Sequence, residues 1–357
     1  MVNVTKTYFP PFDEYQNQLK RIWKNQWLTN RGELTLELET KLKAHLKVSN
    51  ITLNTNGTLP IQIALNLLAK GGEVITTPFS YVATTAAIVW EKCTPVFVDI
   101  HPEYLTIDET KIEAAITSKT TAILATHVFG NPCNVLVIEA IAKKNNLKVI
   151  YDAAHCFGVH YKGQSLFEHG DVSTCSFHAT KIFHTGEGGA FFCKDEQLNK
   201  KLFNSHNFGH NGPENFHGLG INAKMSELQA AMGLAVLPHI NEIFKSRKEV
   251  VDHYNNNLNF TKISKLKLRE GTSWNYSYYP IIFESEEVLL EVKQKLNEAD
   301  IYPRRYFYPS LNTLNYVEKI SMPISESIAK GILCLPLYCS LGILDLDNIC
   351  KIINQNV

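Results

Sequence analysis

The sequence predicts an α/β protein: a large domain on a mostly parallel sheet covered by helices, then a smaller C-terminal α+β domain. From about residue 50 the pattern runs strand, loop, helix and repeats, with strand-like segments at 51–54, 73–77, 95–99, 121–126 and 148–152. Helical patterns at 80–90, 109–116 and 135–145 fill the gaps, as crossovers between parallel strands must. The length of 357 residues suits a large domain plus a smaller one better than a single core.

Residues 1–30 read as an N-terminal arm. Tyr8-Phe-Pro-Pro-Phe12 is extended, because each proline turns the residue before it away from the helix. A helix is predicted over 13–24 and a turn at Trp27–Gly32. The large domain is expected over 31–237 and opens with a helix carrying Leu34, Leu38, Leu42 and Leu46 on one face. Asn56-Gly57-Thr58 makes a tight turn after the first strand, and Pro60 falls in a first helical turn, where a missing N–H costs nothing. Two apolar strands, 171–175 and 190–193, flank the stretch Ser176–Gly189. A helix near 196–207, a polar loop over 209–220 and a helix opening at Lys224 follow; Pro238 kinks or ends that helix. The small domain, 238–357, reads as strand 274–283, helix 286–298, a turn and strand over 302–309, an apolar segment 332–338 and a last helix.

Lys+Arg and Asp+Glu both number 35, so the formal charge is zero, and no basic stripe points to nucleic acid or a membrane surface. No apolar run reaches membrane-spanning length, and the N-terminus lacks the pattern of a secretory leader, so a cytoplasmic protein is expected. Eight cysteines lie scattered without Cys-x-x-Cys, which predicts buried reduced thiols and no metal site.

The chemistry centres on Lys181, in a turn of small and polar residues between two buried-looking segments. Such a lysine is an exposed loop residue, or an amine whose pKa apolar surroundings lower so that it forms a Schiff base with an aldehyde. If the aldehyde is pyridoxal 5'-phosphate, further groups are required. Asp152, ending an apolar strand, would pair with the pyridine nitrogen, or else caps a helix. Gly57 and Thr58 would offer N–H and hydroxyl to the phosphate at a helix start, with Ser176 adding a hydroxyl; the plainer readings are a common turn and a strand serine. Tyr81 would stack on the ring or sit in the core, and His155 would meet the phenolic oxygen or be structural.

Five segments occur in this order: Asn56-Gly-Thr58, Thr77-Pro-Phe-Ser-Tyr-Val-Ala-Thr84, Asp152-Ala-Ala-His155, Ser176-Phe-His-Ala-Thr-Lys181 with Glu187-Gly-Gly189, and Gly220-Ile-Asn-Ala-Lys-Met-Ser-Glu227. Together they resemble the DegT/StrS family of sugar aminotransferases, across nearly the whole chain. The resemblance implies the aspartate-aminotransferase (fold type I) architecture, Lys181 as Schiff-base lysine and proton shuttle, Asp152 on the pyridine nitrogen and an aromatic, Tyr81, over the ring. It places Gly57, Thr58 and Ser176 on the phosphate, Asn222 on the phosphate of a neighbouring subunit in a homodimer, and Arg305 with Tyr306 near the nucleotide sugar. His184 and Arg304 are further candidates for a diphosphate or a donor carboxylate. Ser-Phe-His-Ala-Thr-Lys with Glu-Gly-Gly is similar to enzymes that aminate carbon 4 of a dTDP-linked keto sugar from L-glutamate, for cell-surface polysaccharides such as lipopolysaccharide O-antigen. A UDP-linked sugar, amination at carbon 3 and a non-catalytic relative are the alternatives. Lys224 stands where many members have arginine, and arginine-to-lysine loses planar bidentate geometry.

Overall fold

The computed structural model describes residues 1–357. Its centre is a seven-stranded sheet in the order Ile51–Asn54, Gly189–Phe192, Val172–Ser176, Lys148–Asp152, Thr120–Thr126, Glu73–Thr76, Thr94–Phe97. Gly189–Phe192 runs antiparallel to both neighbours and all other pairings are parallel. Alternate side chains leave the sheet on opposite faces, so each strand feeds two cores. Ile75, Ile123, Val149 and Ala190 pack with Leu34, Leu38 and Leu42 of helix Glu33–Leu46. Val74, Leu124, Ile150 and Phe191 pack with Ile61, Ala64 and Leu65 of helix Leu59–Leu68. A sheet covered on both faces accounts for the near-continuous apolar strands.

The predicted elements recur with three differences. Residues 109–116 form two short 3-10 turns, Glu109–Lys111 and Glu113–Ala115, the first capped by the Asp108 carboxylate on the Thr110 N–H. Of 274–283 only Tyr279–Phe283 is a strand; it lies between Ile263–Lys265 and Ile332–Leu335. Of 302–309 only Tyr302 is in a strand, and the rest is irregular.

The domains are more interleaved than boundaries at 30 and 238 imply. Val2–Asn3 pairs with Ile301–Tyr302, and Val2 joins the small-domain core, so the arm begins inside the second domain. Pro238 lies in the turn Leu237–His239 between helices Glu227–Val236 and Ile240–Asn257. The latter helix starts in the large-domain core at Ile240 and Ile243 and ends in the small-domain core at Val250, Val251 and Tyr254. Buried polar links add to this junction. Arg269 pairs with both oxygens of Glu109, and Asp99 accepts the N–H groups of Ile324 and Ser325 at the start of helix Pro323–Gly331. No helix is long and apolar enough to cross a membrane.

Candidate active site

Strand register brings the sequence-distant motifs together. Gly189 sits opposite Asn54 on one side and Ser176 on the other; Asp152 sits opposite Thr126 and Thr174. The loops leaving Asn54, Thr76, Asp152 and Ser176 therefore share the carboxyl edge of the sheet, where ligands of such sheets collect. A cavity of about 290 Å³ opens there. Gly57, Thr58, Tyr81, Asp152, His155, Ser176 and Lys181 all line it from the large domain, and Tyr278, Arg304, Tyr306 and Phe307 close it from the small domain.

Asp152 is buried. Its carboxylate accepts from the Thr84 hydroxyl at 2.6 Å and from the Ala154 N–H at 3.1 Å. Ser80 joins Thr84 (2.8 Å) to Thr126 (3.0 Å), so the carboxylate ends a hydroxyl chain. Burial pushes its pKa up, against the Thr84 and Ala154 bonds and the Lys181 charge. Such a group holds its charge at a cost that a cationic partner would remove.

Lys181 donates from Nζ to the Tyr278 hydroxyl at 3.2 Å. The expectation of a lowered pKa is corrected here. Burial does pull it down, but Tyr278, Asp152 and Cys175 outweigh that, and the net direction is up. His155 is buried, with Nδ1 accepting the Phe129 N–H at 3.0 Å and its ring 4.7 Å from that of Tyr278. Burial and the Lys181 charge hold it well below the usual histidine range, so it is neutral, and acceptance at Nδ1 leaves the proton on Nε2.

At the start of helix Leu59–Leu68, Asn56 Oδ1 accepts the N–H groups of both Thr58 and Leu59 at 2.9 Å. Those two donors are used within the turn. The Gly57 N–H and the Thr58 hydroxyl have no protein acceptor. A Cβ on Gly57 would lie 2.6 Å from Ser176 Cβ, so only glycine lets the turn and the Ser176 hydroxyl meet. Tyr81 precedes helix Val82–Trp90 and is 57% exposed, its ring 6.3 Å from that of Phe307, which places it over the cavity rather than in the core.

A model of the DegT/DnrJ/EryC1/StrS aminotransferase family matches residues 12–354. The chain belongs to this family. It is 41% identical over 346 residues to the dTDP-4-amino-4,6-dideoxy-D-glucose transaminase of Shigella dysenteriae, covering 95% of this chain and 94% of that one. It is 32% identical to GDP-perosamine synthase of Escherichia coli O157:H7, covering 92% of each chain. The crystal structure of DesI in the presence of its TDP-sugar product superposes with a TM-score of 0.93 at 28% identity, covering 99% of this chain and 92% of that one.

Membership makes the chain an aminotransferase with fold type I architecture, and the family depends on pyridoxal phosphate. The aminotransferase's own residues fit that group. The buried carboxylate of Asp152 suits a protonated ring nitrogen, the free Gly57 N–H and the Thr58 and Ser176 hydroxyls suit a phosphate, and Lys181 is an amine on the cavity wall that would suit the aldehyde.

Three candidates lie elsewhere in the aminotransferase. His184 is buried; Nε2 meets the Tyr8 carbonyl at 2.7 Å and Nδ1 accepts the Gly186 N–H, so both nitrogens are occupied pinning the arm. Arg305 turns away from the cavity to Glu286 (2.6 Å) and the Lys330 carbonyl (3.1 Å), with its guanidinium 3.6 Å over the Tyr308 ring. Arg304 reaches the cavity in its place, donating to the Tyr306 hydroxyl at 3.3 Å. Asn222 is exposed, bridges to Asn207 and does not line the active-site cavity of its own chain. Sequence reading missed Thr84, Tyr278 and Phe307. Thr84 carries a signal, since it falls one helical turn beyond Tyr81; Tyr278 and Phe307 lie in stretches that read as strand in the sequence and are irregular in the structure.

Proposed function

We propose that the enzyme moves the amino group of L-glutamate onto carbon 4 of dTDP-4-keto-6-deoxy-D-glucose, giving dTDP-4-amino-4,6-dideoxy-D-glucose. The observation that carries this reading is the 41% identity to a transaminase of that name over nearly the full length of both chains. Bound pyridoxal phosphate supplies the electron sink for the carbon that loses its proton. Asp152 would hold the ring nitrogen protonated, and the His155 Nε2–H would donate to the phenolic oxygen of the cofactor. The Lys181 amine takes the proton from the amine-bearing carbon of the donor; in the second half-reaction it moves a proton in the reverse sense to carbon 4 of the sugar. The two substrates use one pocket in turn, which predicts ping-pong kinetics. Arg304, the cation on the cavity wall opposite the phosphate turn, takes a substrate anion, the donor carboxylate or the sugar diphosphate.

A homodimer with shared sites completes the reading. Asn222 is exposed in a loop that also presents Phe216 (65% exposed) and Leu219 (75%), an apolar surface that a second copy would cover. Asn222→Ala is expected to weaken cofactor retention; unchanged retention removes the cross-subunit role. All eight cysteines are free and seven are buried, in keeping with the cytoplasm, where such an amino sugar would be made for a cell-surface polysaccharide.

The test is to incubate the enzyme with L-glutamate and the dTDP-, UDP- and GDP-linked 4-keto-6-deoxy sugars in separate arms, and to identify each product by NMR. A 4-amino product from the dTDP arm alone supports the proposal. Faster turnover in another arm, or an amine at carbon 3, overturns it. Borohydride is expected to fix the cofactor to Lys181, which mass spectrometry of the peptide checks.

A further inference from the structure

Lys181 has one hydrogen-bond partner through Nζ, and it comes from the other domain. Tyr278 precedes strand Tyr279–Phe283, at the end of an irregular strap that leaves the small domain and crosses onto the large one. Four consecutive residues bind that strap. Trp274 Nε1 donates to the Phe129 carbonyl at 2.8 Å. Asn275 Nδ2 donates to the carbonyls of His155 (2.8 Å) and Phe157 (2.9 Å). The Ser277 hydroxyl donates to Phe129 O at 2.8 Å, and buried Arg247 donates to the carbonyls of Tyr276 (2.9 Å) and Ser277 (2.6 Å).

This lattice has a consequence for the lysine. The strap is tied to the same loop that carries His155, three residues after Asp152. Tyr278 therefore keeps its place beside Lys181 by folding, and needs no ligand-driven closure of the domains. The Tyr278 ring is buried, 5.8 Å from Phe129 and 5.4 Å from Tyr306, so its hydroxyl has little freedom.

We propose that Tyr278 is a positioning residue for this reaction: its hydroxyl is the resting partner of the Lys181 amine whenever that amine is not covalently engaged. A lysine that must leave a covalent link, move a proton and return would otherwise search several rotamers over a cavity. Holding Nζ at Tyr278 keeps it on the Asp152–His155 side, within reach of the same carbon on each cycle. The titratable or charged groups facing Lys181 are Tyr278, Asp152, Cys175, His155 and Tyr306; the first three favour its protonated form. Tyr278 thus acts on both the position and the proton of the amine. The inference rests on Lys181 as the reactive amine and not on which sugar is used.

The test compares the full-length enzyme with Tyr278→Phe, which keeps the ring packing, and with Tyr279→Phe, whose hydroxyl bonds Asn255 away from the cavity. Trace acetylation of Lys181 across pH, read by peptide mass spectrometry on cofactor-free protein, reports the amine without any substrate. The inflection is expected to move to lower pH in Tyr278→Phe and to stay in place in Tyr279→Phe. In the loaded enzyme Tyr278→Phe is expected to lower kcat about tenfold, with KM for the nucleotide sugar changed less than about twofold. An unmoved acetylation profile overturns the proposal, as does a loss confined to KM, which would make Tyr278 a substrate contact. Failure of the sugar assignment would appear as a missing product in wild type and would leave the acetylation result untouched.

Discussion

The two walls of the cavity are built on different physical terms. On the large-domain wall Asp152, Ser176 and the turn at Gly57 leave strands of one sheet whose backbone ladders fix their spacing, and Lys181 sits in the loop that joins two of those strands. On the small-domain wall Tyr278 and Tyr306 stand on irregular backbone, the former held by side-chain bonds such as Arg247 to the 276–277 carbonyls, and Arg304 is tied by a single two-bond backbone bridge to Cys334. A ladder resists a single substitution, because each strand shares its load among many bonds. A strap held by a few side chains does not. The chemistry accordingly belongs on the first wall, and tuning of substrate and lysine on the second.

The sharpest way to break this comparison is on the rigid wall. Lys181→Ala is expected to lower transfer from glutamate by at least about 10⁴-fold, since it removes both the amine and the general base. Far-ultraviolet circular dichroism should be unchanged; substantial residual turnover would show that Lys181 is not the reactive amine. The next effect lies on the opposite wall. Arg304→Ala is expected to raise KM for a substrate anion about 10- to 100-fold, the range for a hydrogen bond to a charged group, with a smaller change in kcat. Arg305→Ala, one residue on, should leave KM in place and lower thermal stability instead, because it breaks the pair with Glu286 and uncovers Tyr308. If the two variants exchange phenotypes, the placement of these arginines is wrong.

That neighbouring pair also marks where sequence reading stops. The sheet, its covering helices and the rim motifs were legible because they repeat a period or sit at strand ends: Lys148–Asp152 and Ile51–Asn54 fall where the pattern put them. Family resemblance then attached roles to Lys181, Asp152 and Gly57. It could not tell Arg304 from Arg305, since in an irregular segment adjacent side chains have no alternation to say which faces the cavity. His184 failed for a related reason. It lies in the lysine loop by sequence, but its ring turns inward to hold Tyr8, a contact 176 residues away. Tyr278 gave no signal because its position depends on Arg247 and Asn275, which only the folded chain brings together.

The smallest effect separates holding a fold from preparing a charge. Burial raises the Asp152 pKa above its unfolded value. The folded state therefore keeps that proton to higher pH than the unfolded state does. Stability then falls as pH rises from the ordinary carboxylate range near about 4 through the folded pKa, and stays lower above it. Asp152→Asn carries no charge; its Oδ1 can keep the Ala154 N–H, while its Nδ2 donates to the Thr84 hydroxyl, which reverses that one bond. In cofactor-free protein its Tm should exceed wild type by about 1–3 °C near neutral pH, with the gap closing as pH falls below the ordinary carboxylate range. The same variant should lose activity by about 10²-fold or more, because nothing then fixes the ring-nitrogen proton. A wall placed by ladders can tolerate such a charge, whereas the strap side carries its cation, Arg304, at the surface. If Asp152→Asn destabilises the protein at neutral pH, the hydroxyl chain through Thr84 and Ser80 already compensates the charge, and the large-domain wall is relaxed before any cofactor binds.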